Sequence, residues 1–101
     1  MKVYIAGKIT NDENFKEKFH RKEIELISQG HSVMNPAILP KGFAYEDYMK
    51  VCFAMIDTCD VVCLLADWQE SNGASRERLY AWAHNKPTHV EIIPNIEEDT
   101  K

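Results

Sequence analysis

The chain contains an unbroken apolar run, Val-Val-Cys-Leu-Leu, at residues 61–65. A short run of this kind, rich in valine and leucine and followed by polar residues, predicts a strand that is buried on both faces. Such strands belong to parallel sheets, whose crossover connections place helices on both sides. The run therefore favours an α/β fold.

Strand and helix patterns alternate along the rest of the chain. The predicted strands cover residues 3–6, 31–34, 61–65 and 88–93. The first predicted helix begins at a capping box over residues 10–13 and ends at Gly30, the second carries an apolar stripe from Tyr48 to Cys59, and the third covers residues 73–85. Right-handed βαβ crossovers then give a small three-layer α/β/α sandwich with a flavodoxin- or Rossmann-like parallel sheet in the strand order 2-1-3-4.

This strand order reverses between strands 1 and 3. Open parallel sheets bind ligands at such a switch point, outside the carboxyl ends of the strands. The loops that follow these two strands cover residues 7–11 and 66–73. We therefore expect a ligand site between these two loops.

Length and charge limit the classes of protein and partner. The 101 residues, 45% of them hydrophobic, suffice for one domain, predicted over residues 1–96 with a frayed acidic tail at 97–101. The net charge of −4 argues against a nucleic-acid polymer as partner, because its binders carry basic surfaces. The apolar run near Met1 is too short for a signal peptide or a membrane span, which predicts a cytoplasmic protein without a membrane partner.

The cysteines and histidines do not form a metal-binding pattern. The three cysteines, Cys52, Cys59 and Cys63, lie in apolar segments, and an odd number is poorly suited to a disulfide framework. Neither they nor the four histidines have the paired spacing of zinc ligands. We predict reduced core thiols, no metal and no cofactor.

The loop after the first strand contains Gly7, Lys8, Ile9 and Thr10. It is too short for a Walker A loop and lacks the upstream glycine, which excludes that class of nucleotide hydrolase. A glycine at this point lets a ligand approach the backbone, and the free amides of a following helix favour an anion. A simple tight turn is the alternative.

The loop before the third helix contains Ser71, Asn72 and Gly73, and Glu77 follows about one turn into the helix. The helix dipole stabilises an ionised carboxylate at that position. Such a carboxylate is a candidate nucleophile if it faces the crevice. The alternative is that Glu77 favours the first helical turns and points to water.

Several of these segments resemble the nucleoside 2-deoxyribosyltransferase-like superfamily. The similar segments are Tyr-Ile-Ala-Gly at 4–7, Asn-Pro at 35–36, Cys-Asp-Val-Val at 59–62, and Trp-x-x-Ser-x-Gly-Ala at 68–74 with Glu77 and Ala81. Their order and spacing are similar to the short members of unassigned function, over nearly the whole chain.

The resemblance implies that Glu77 attacks the anomeric carbon of a deoxynucleoside or its monophosphate. It also implies that Tyr4 orients this nucleophile and that Gly7 and Ile9 pass over the ligand. Ser71 matches a serine that contacts phosphate in the deoxynucleoside-monophosphate N-glycosidases, which favours a nucleotide over a free nucleoside.

Three further residues complete the predicted binding site. Lys8 would add a positive charge for the phosphate, although a loop lysine is often simply solvated. Trp68 would stack on the base or, equally, pack at the edge of the core or at a dimer contact. Gly73 is the glycine of the loop motif.

Cys52 departs from the family pattern, because catalytic relatives carry an aspartate at the matching position. A thiol does not replace a carboxylic acid in protonating a departing base. Either Asp47 or Asp67 serves as the acid, or the protein is a non-catalytic nucleotide-binding module. A small scaffold for a protein partner is a third class without a positive feature. The resemblance also implies a homo-oligomer.

Overall fold

The structure, a computed structural model, describes residues 1–91. Within that part of the chain, four strands alternate with three helices. The strands are β1 (Lys2–Ala6), β2 (Ser32–Met34), β3 (Val61–Leu64) and β4 (Thr88–Val90), and the helices are α1 (Phe15–Ser28), α2 (Tyr45–Asp57) and α3 (Asn72–Ala83). All strand pairs are parallel, in the order β2-β1-β3-β4. The predicted α/β class and strand order are confirmed.

Consecutive side chains of β1 enter two different cores. Tyr4 and Ala6 pack with residues of α2 and α3, whereas Ile5 packs with Phe19 of α1. Because successive side chains of a strand point to opposite faces, α1 covers one face of the sheet and α2 and α3 cover the other. This arrangement is the predicted three-layer sandwich.

The apolar run at 61–65 forms β3 and the residue after it. β3 lies between β1 and β4 in the sheet. Val61, Val62, Leu64 and Leu65 are all buried, while Cys63 is half-buried. The strand is therefore covered on both faces, as its uniform hydrophobicity predicted.

The first helix begins later than its sequence indicated. We predicted a capping box over residues 10–13, but the N-cap is Asn14. Asn11 has a φ of 63°, and the Asp12 carboxylate accepts a hydrogen bond from the Asn14 N–H at 2.9 Å. The carboxylate also binds Lys18. These contacts make residues 10–13 a turn before the helix.

The other predicted ends lie within a few residues of the observed ones. Gly30 follows α1 with a φ of 93°, the left-handed conformation expected of a cap. The third helix ends at Ala83 rather than at Asn85. The fourth strand was predicted to extend to residue 93, but residues 92 and 93 lie outside the described residues. The tail predicted at 97–101 also lies outside them. The domain extent of 1–96 stays a prediction.

None of the helices within residues 1–91 combines the length and the hydropathy needed to cross a bilayer.

Candidate active site

A cavity of about 820 Å³ lies at the carboxyl ends of β1 and β3. One wall is the loop of residues 7–11 after β1, which we call the cavity loop. The other walls are the start of α1, the segment of residues 36–41 after β2, one side of α2, and residues 70–77 at the start of α3. Both loops that the switch-point rule singled out therefore contribute to one cavity.

Glu77 lies on the inward face of α3. The buried residues of this helix are Ala74, Glu77 and Ala81, at the spacing of one helical stripe. Glu77 is only 6% exposed, yet it lines the cavity. A carboxylate thus occupies the centre of a stripe that otherwise consists of alanine. The structure excludes the alternative that Glu77 points to water.

Tyr4 and Cys52 meet the Glu77 carboxylate from β1 and α2. The Tyr4 hydroxyl donates a hydrogen bond of 2.8 Å to Oε2 of Glu77, and Tyr4 is completely buried. Cys52 is also buried and lines the cavity. We call these three residues the floor of the cavity. Its carboxylate is held by neutral partners.

Burial controls the ionisation of the floor. It raises the pKa of Glu77 to about 7, although hydrogen bonds from Tyr4 and Cys52 act in the opposite direction. Burial and the nearby Glu77 charge raise the pKa of Cys52 to about 12, and the same two causes raise the pKa of Tyr4. At neutral pH the thiol and the phenol are therefore uncharged, and Glu77 is the group of the floor that titrates.

A largely apolar part of the cavity lining, which we call the apolar wall, was not assigned to the site by sequence reasoning. Its apolar and aromatic members are Phe15, Pro36, Leu39, Pro40, Tyr45, Tyr48 and Met49. Tyr48 fixes the segment after β2, because its hydroxyl donates to the Pro40 carbonyl at 2.6 Å. The predicted parallel sheet could have indicated the part of this wall that follows β2. Because β2 is parallel to β1, the chain that leaves β2 reaches the edge of the sheet where the cavity loop begins.

Three lysines, Lys8, Lys16 and Lys41, line the cavity. The Lys8 ammonium lies 3.4 Å from the Glu70 carboxylate. The Ser71 hydroxyl oxygen accepts a hydrogen bond of 3.0 Å from the Ala74 N–H and so caps α3, while its own proton stays available to a ligand. The mouth of the cavity therefore suits an anionic group.

The predicted binding residues Gly7, Lys8, Ile9, Ser71 and Gly73 all line the cavity. Four other predicted site residues do not: Tyr4, which reaches Glu77 from within the core, and Asp47, Asp67 and Trp68. Asp47 is exposed and accepts a hydrogen bond from the Ala44 N–H at 3.1 Å, which caps α2.

Asp67 binds the Lys18 ammonium and accepts a hydrogen bond of 3.1 Å from the Lys8 N–H. Trp68 packs against the core and under the Arg78 guanidinium, at 5.2 Å. The placement of Asp47 and Asp67 near the nucleophile needs correction, because each carboxylate is engaged in a structural contact outside the cavity.

Among residues 1–91, no cluster of three or more His, Cys, Asp or Glu side chains has the geometry of a metal site.

The family described as domain of unknown function DUF4406 matches residues 1–90, nearly all of the chain. The chain belongs to the DUF4406 family. No curated protein matches this DUF4406 chain.

Two solved structures share the fold. A 2-deoxyribosyltransferase from Bacillus psychrosaccharolyticus has a TM-score of 0.71 and 23% identity, over 92% of the DUF4406 chain and 77% of its own. A 2-deoxyribosyltransferase from Leishmania mexicana has a TM-score of 0.71 and 17% identity, over 88% of the DUF4406 chain and 62% of its own. At these identities the likeness shows the fold alone, and the predicted fold is the one that these two 2-deoxyribosyltransferases have. The DUF4406 chain spans less than two thirds of the Leishmania protein.

Proposed function

We propose that this DUF4406 protein cleaves or transfers at the N-glycosidic bond of a 2′-deoxynucleoside 5′-monophosphate. The observation that carries the proposal is the buried Glu77 carboxylate, which faces a cavity of about 820 Å³ and is held by the Tyr4 hydroxyl. The fold shared with two 2-deoxyribosyltransferases supports the same class of substrate.

In the proposed reaction, a Glu77 oxygen attacks the anomeric carbon C1′. The C1′–N bond breaks, and the base leaves with the bonding electron pair. The transition state resembles an oxocarbenium ion, which the adjacent carboxylate stabilises before the new C–O bond forms. Water or a second base then attacks C1′, and the C–O bond to Glu77 breaks to return the carboxylate.

The departing base takes its proton from water in this proposal. The carboxylic acids that line the cavity within the described residues are Glu70 and Glu77. Glu77 is the nucleophile, and Glu70 lies at the mouth beside Lys8. Cys52 keeps its proton, since its pKa is raised to about 12. Bases that leave readily without an acid are therefore the preferred leaving groups.

The anionic substrate is supported by the cavity mouth. Lys8, Lys16 and Lys41 bring positive charge to it, and Ser71 offers a hydroxyl donor at the first turn of α3. A 5′-phosphate would gain charge-assisted hydrogen bonds there that a free nucleoside lacks. The apolar wall with Phe15 would accommodate the base.

A panel of deoxynucleosides and their 5′-monophosphates tests the proposal, with free base measured by chromatography. The wild type should release base, and Glu77→Gln should lower the rate at least about a thousandfold, as loss of a catalytic nucleophile does. Glu70→Gln is the matched control, because Glu70 lines the same cavity but lies at its exposed mouth. Equal release by wild type and Glu77→Gln would remove Glu77 from the mechanism.

A second candidate function is a nucleotide-binding module that does not cleave its ligand. Cys52 favours it, because its thiol is neutral at a position where the family resemblance implies an acid. Calorimetry with the same monophosphates distinguishes the two. Binding without any base release supports the module, whereas turnover excludes it.

We also propose a homo-oligomer, as the family resemblance implies. Trp82 and Leu79 of α3 are 78% and 58% exposed, and Val51 of α2 is 45% exposed, which leaves apolar surface for a second copy. Light scattering at micromolar concentration tests this, and a monomer there contradicts it.

A further inference from the structure

We infer that Lys18 is a positioning residue that fixes the cavity loop by binding Asp12, Asp67 and the Lys8 carbonyl at once. Its effect on substrate binding rests on the proposed function. Its effect on the loop does not.

The cavity loop lacks regular secondary structure, although all five of its residues line the cavity. Its end is a turn in which the Asp12 N–H donates to the Ile9 carbonyl at 3.2 Å, and Asn11 has a φ of 63°. A segment with such irregular backbone depends on contacts with neighbouring side chains for a fixed shape.

Lys18 supplies these contacts from the first turns of α1. Its ammonium donates to the Asp12 carboxylate at 2.6 Å, to the Lys8 carbonyl at 2.9 Å, and to the Asp67 carboxylate. Asp67 in turn accepts the Lys8 N–H at 3.1 Å. Both backbone polar groups of Lys8 are thus held by one ion-pair cluster.

The cluster joins three separate parts of the chain. Asp67 follows β3, Lys18 belongs to α1, and Asp12 follows the cavity loop. The three side chains are only 21–23% exposed, so their charges are screened less than those of an open surface pair. Burial alone would lower the pKa of Lys18, but the two carboxylates raise it above its ordinary value. Without the ammonium, two carboxylates would repel each other beside the loop.

Lys22 offers a matched control on the same helix. Its ammonium binds two carboxylates, Glu25 at 2.8 Å and Glu91 at 3.0 Å, and its side chain is 12% exposed. Neither Lys22 nor these two partners lines the cavity. Removing Lys22 therefore removes a comparable ion-pair cluster but leaves the contacts of the cavity loop intact.

Amide hydrogen exchange of Lys8 and Asp12, whose N–H groups donate to the Asp67 carboxylate and to the Ile9 carbonyl, tests the inference directly in Lys18→Met and Lys22→Met. In Lys18→Met these amides should exchange at least about tenfold faster than in the wild type, since local opening becomes easier. In Lys22→Met they should stay within about threefold of the wild-type rates. Unchanged exchange in Lys18→Met, or equal acceleration in both variants, would overturn the inference.

Kinetics with a deoxynucleoside monophosphate provide the second readout. Lys18→Met should raise KM about tenfold and change kcat less than KM, because the loop binds substrate while the floor performs the chemistry. Lys18→Arg should recover part of the loss, since it keeps the charge and the donors. A fall in kcat alone would contradict a positioning role. If Lys18→Met does not fold, Lys18→Gln replaces it in both measurements with the same expectations.

If the wild type releases no base, the proposed function fails, and the exchange result still decides the role of Lys18.

Discussion

The cavity loop lines the same cavity as the floor residues Cys52 and Glu77, which the buried Tyr4 supports from the core. The loop and the floor are held in place in different ways. Tyr4, Cys52 and Glu77 come from a strand and two helices and are buried in the larger core. The cavity loop lies outside regular structure and is fixed by a partly exposed ion-pair cluster around Lys18. Core packing fixes a side chain more rigidly than surface ion pairs do. We therefore propose that the floor performs the chemistry and that the loop binds the ligand.

Tyr4→Phe tests the floor and should have the largest effect on activity after that of Glu77→Gln. Removing the hydroxyl leaves the carboxylate without its 2.8 Å donor, so kcat should fall about a hundredfold. The same hydrogen bond lowers the pKa of Glu77, so the rise of activity with pH should move to higher pH in the variant. A pH profile of base release measures both.

Tyr80→Phe is the control for this experiment. The Tyr80 hydroxyl also donates to a carboxylate at 2.8 Å, that of Asp57, but on the exposed surface. Its loss should leave kcat and the pH profile as in the wild type. A pH profile that shifts equally in both variants would count against a special role of Tyr4.

The pH dependence of stability tests the burial of Glu77. Its pKa is about 7 in the folded protein against an ordinary value of 4.5, so the folded state binds more protons between these values. The free energy of unfolding should therefore fall as pH rises from about 4.5 to 7, by roughly 1–3 kcal/mol from this group. Denaturant unfolding at several pH values measures it.

Glu77→Gln should remove this fall in stability. Glu46→Gln should keep it, because the Arg76 guanidinium lowers the pKa of the exposed Glu46 and thus gives the opposite sign. A wild type whose unfolding free energy does not fall across this interval would mean that Glu77 is not buried as described.

Gly7→Ala tests how closely the backbone at the start of the cavity loop packs against Leu65. A Cβ at this position would lie 2.7 Å from Cδ1 of the buried Leu65, so the variant should lose about 1–2 kcal/mol of unfolding free energy. Gly73→Ala is the comparison, because its Cβ would meet no atom closer than 3.7 Å. Thermal unfolding of both variants gives the answer, and equal stabilities would contradict the tight packing at Gly7.

Ser71→Ala should have the smallest effect on stability, a loss of about 1 kcal/mol from removal of the α3 cap. If Ser71 contacts a phosphate, KM for a deoxynucleoside monophosphate should rise more than KM for the matching nucleoside. Equal changes in the two values would exclude a phosphate contact by this residue.

The features that were predictable from sequence are those that repeat locally. The apolar run at 61–65 predicted the central strand. The alternation of strands and helices predicted the strand order of the sheet, and this order predicted the position of the crevice. Glu77 also carries a local signal, because it shares a helical stripe with Ala74 and Ala81.

The features that were missed depend on contacts between distant residues. Asp67 is 49 residues from Lys18 in the chain, and no periodicity indicates that the two form an ion pair. The same cluster engages Asp12 and so overrides the capping-box pattern that placed the start of α1 too early. Part of the apolar wall, formed by Pro36, Leu39 and Pro40, belongs to a segment whose sequence indicated only a loop.

Mass spectrometry of the acid-quenched enzyme tests the central claim most directly. The wild type mixed with a deoxynucleoside monophosphate should carry a 2-deoxyribosyl phosphate adduct on the peptide that contains Glu77, formed as the base is released. The adduct should be absent from Glu77→Gln. Base release with an adduct at another residue, or no base release by the wild type with any monophosphate, would contradict the account.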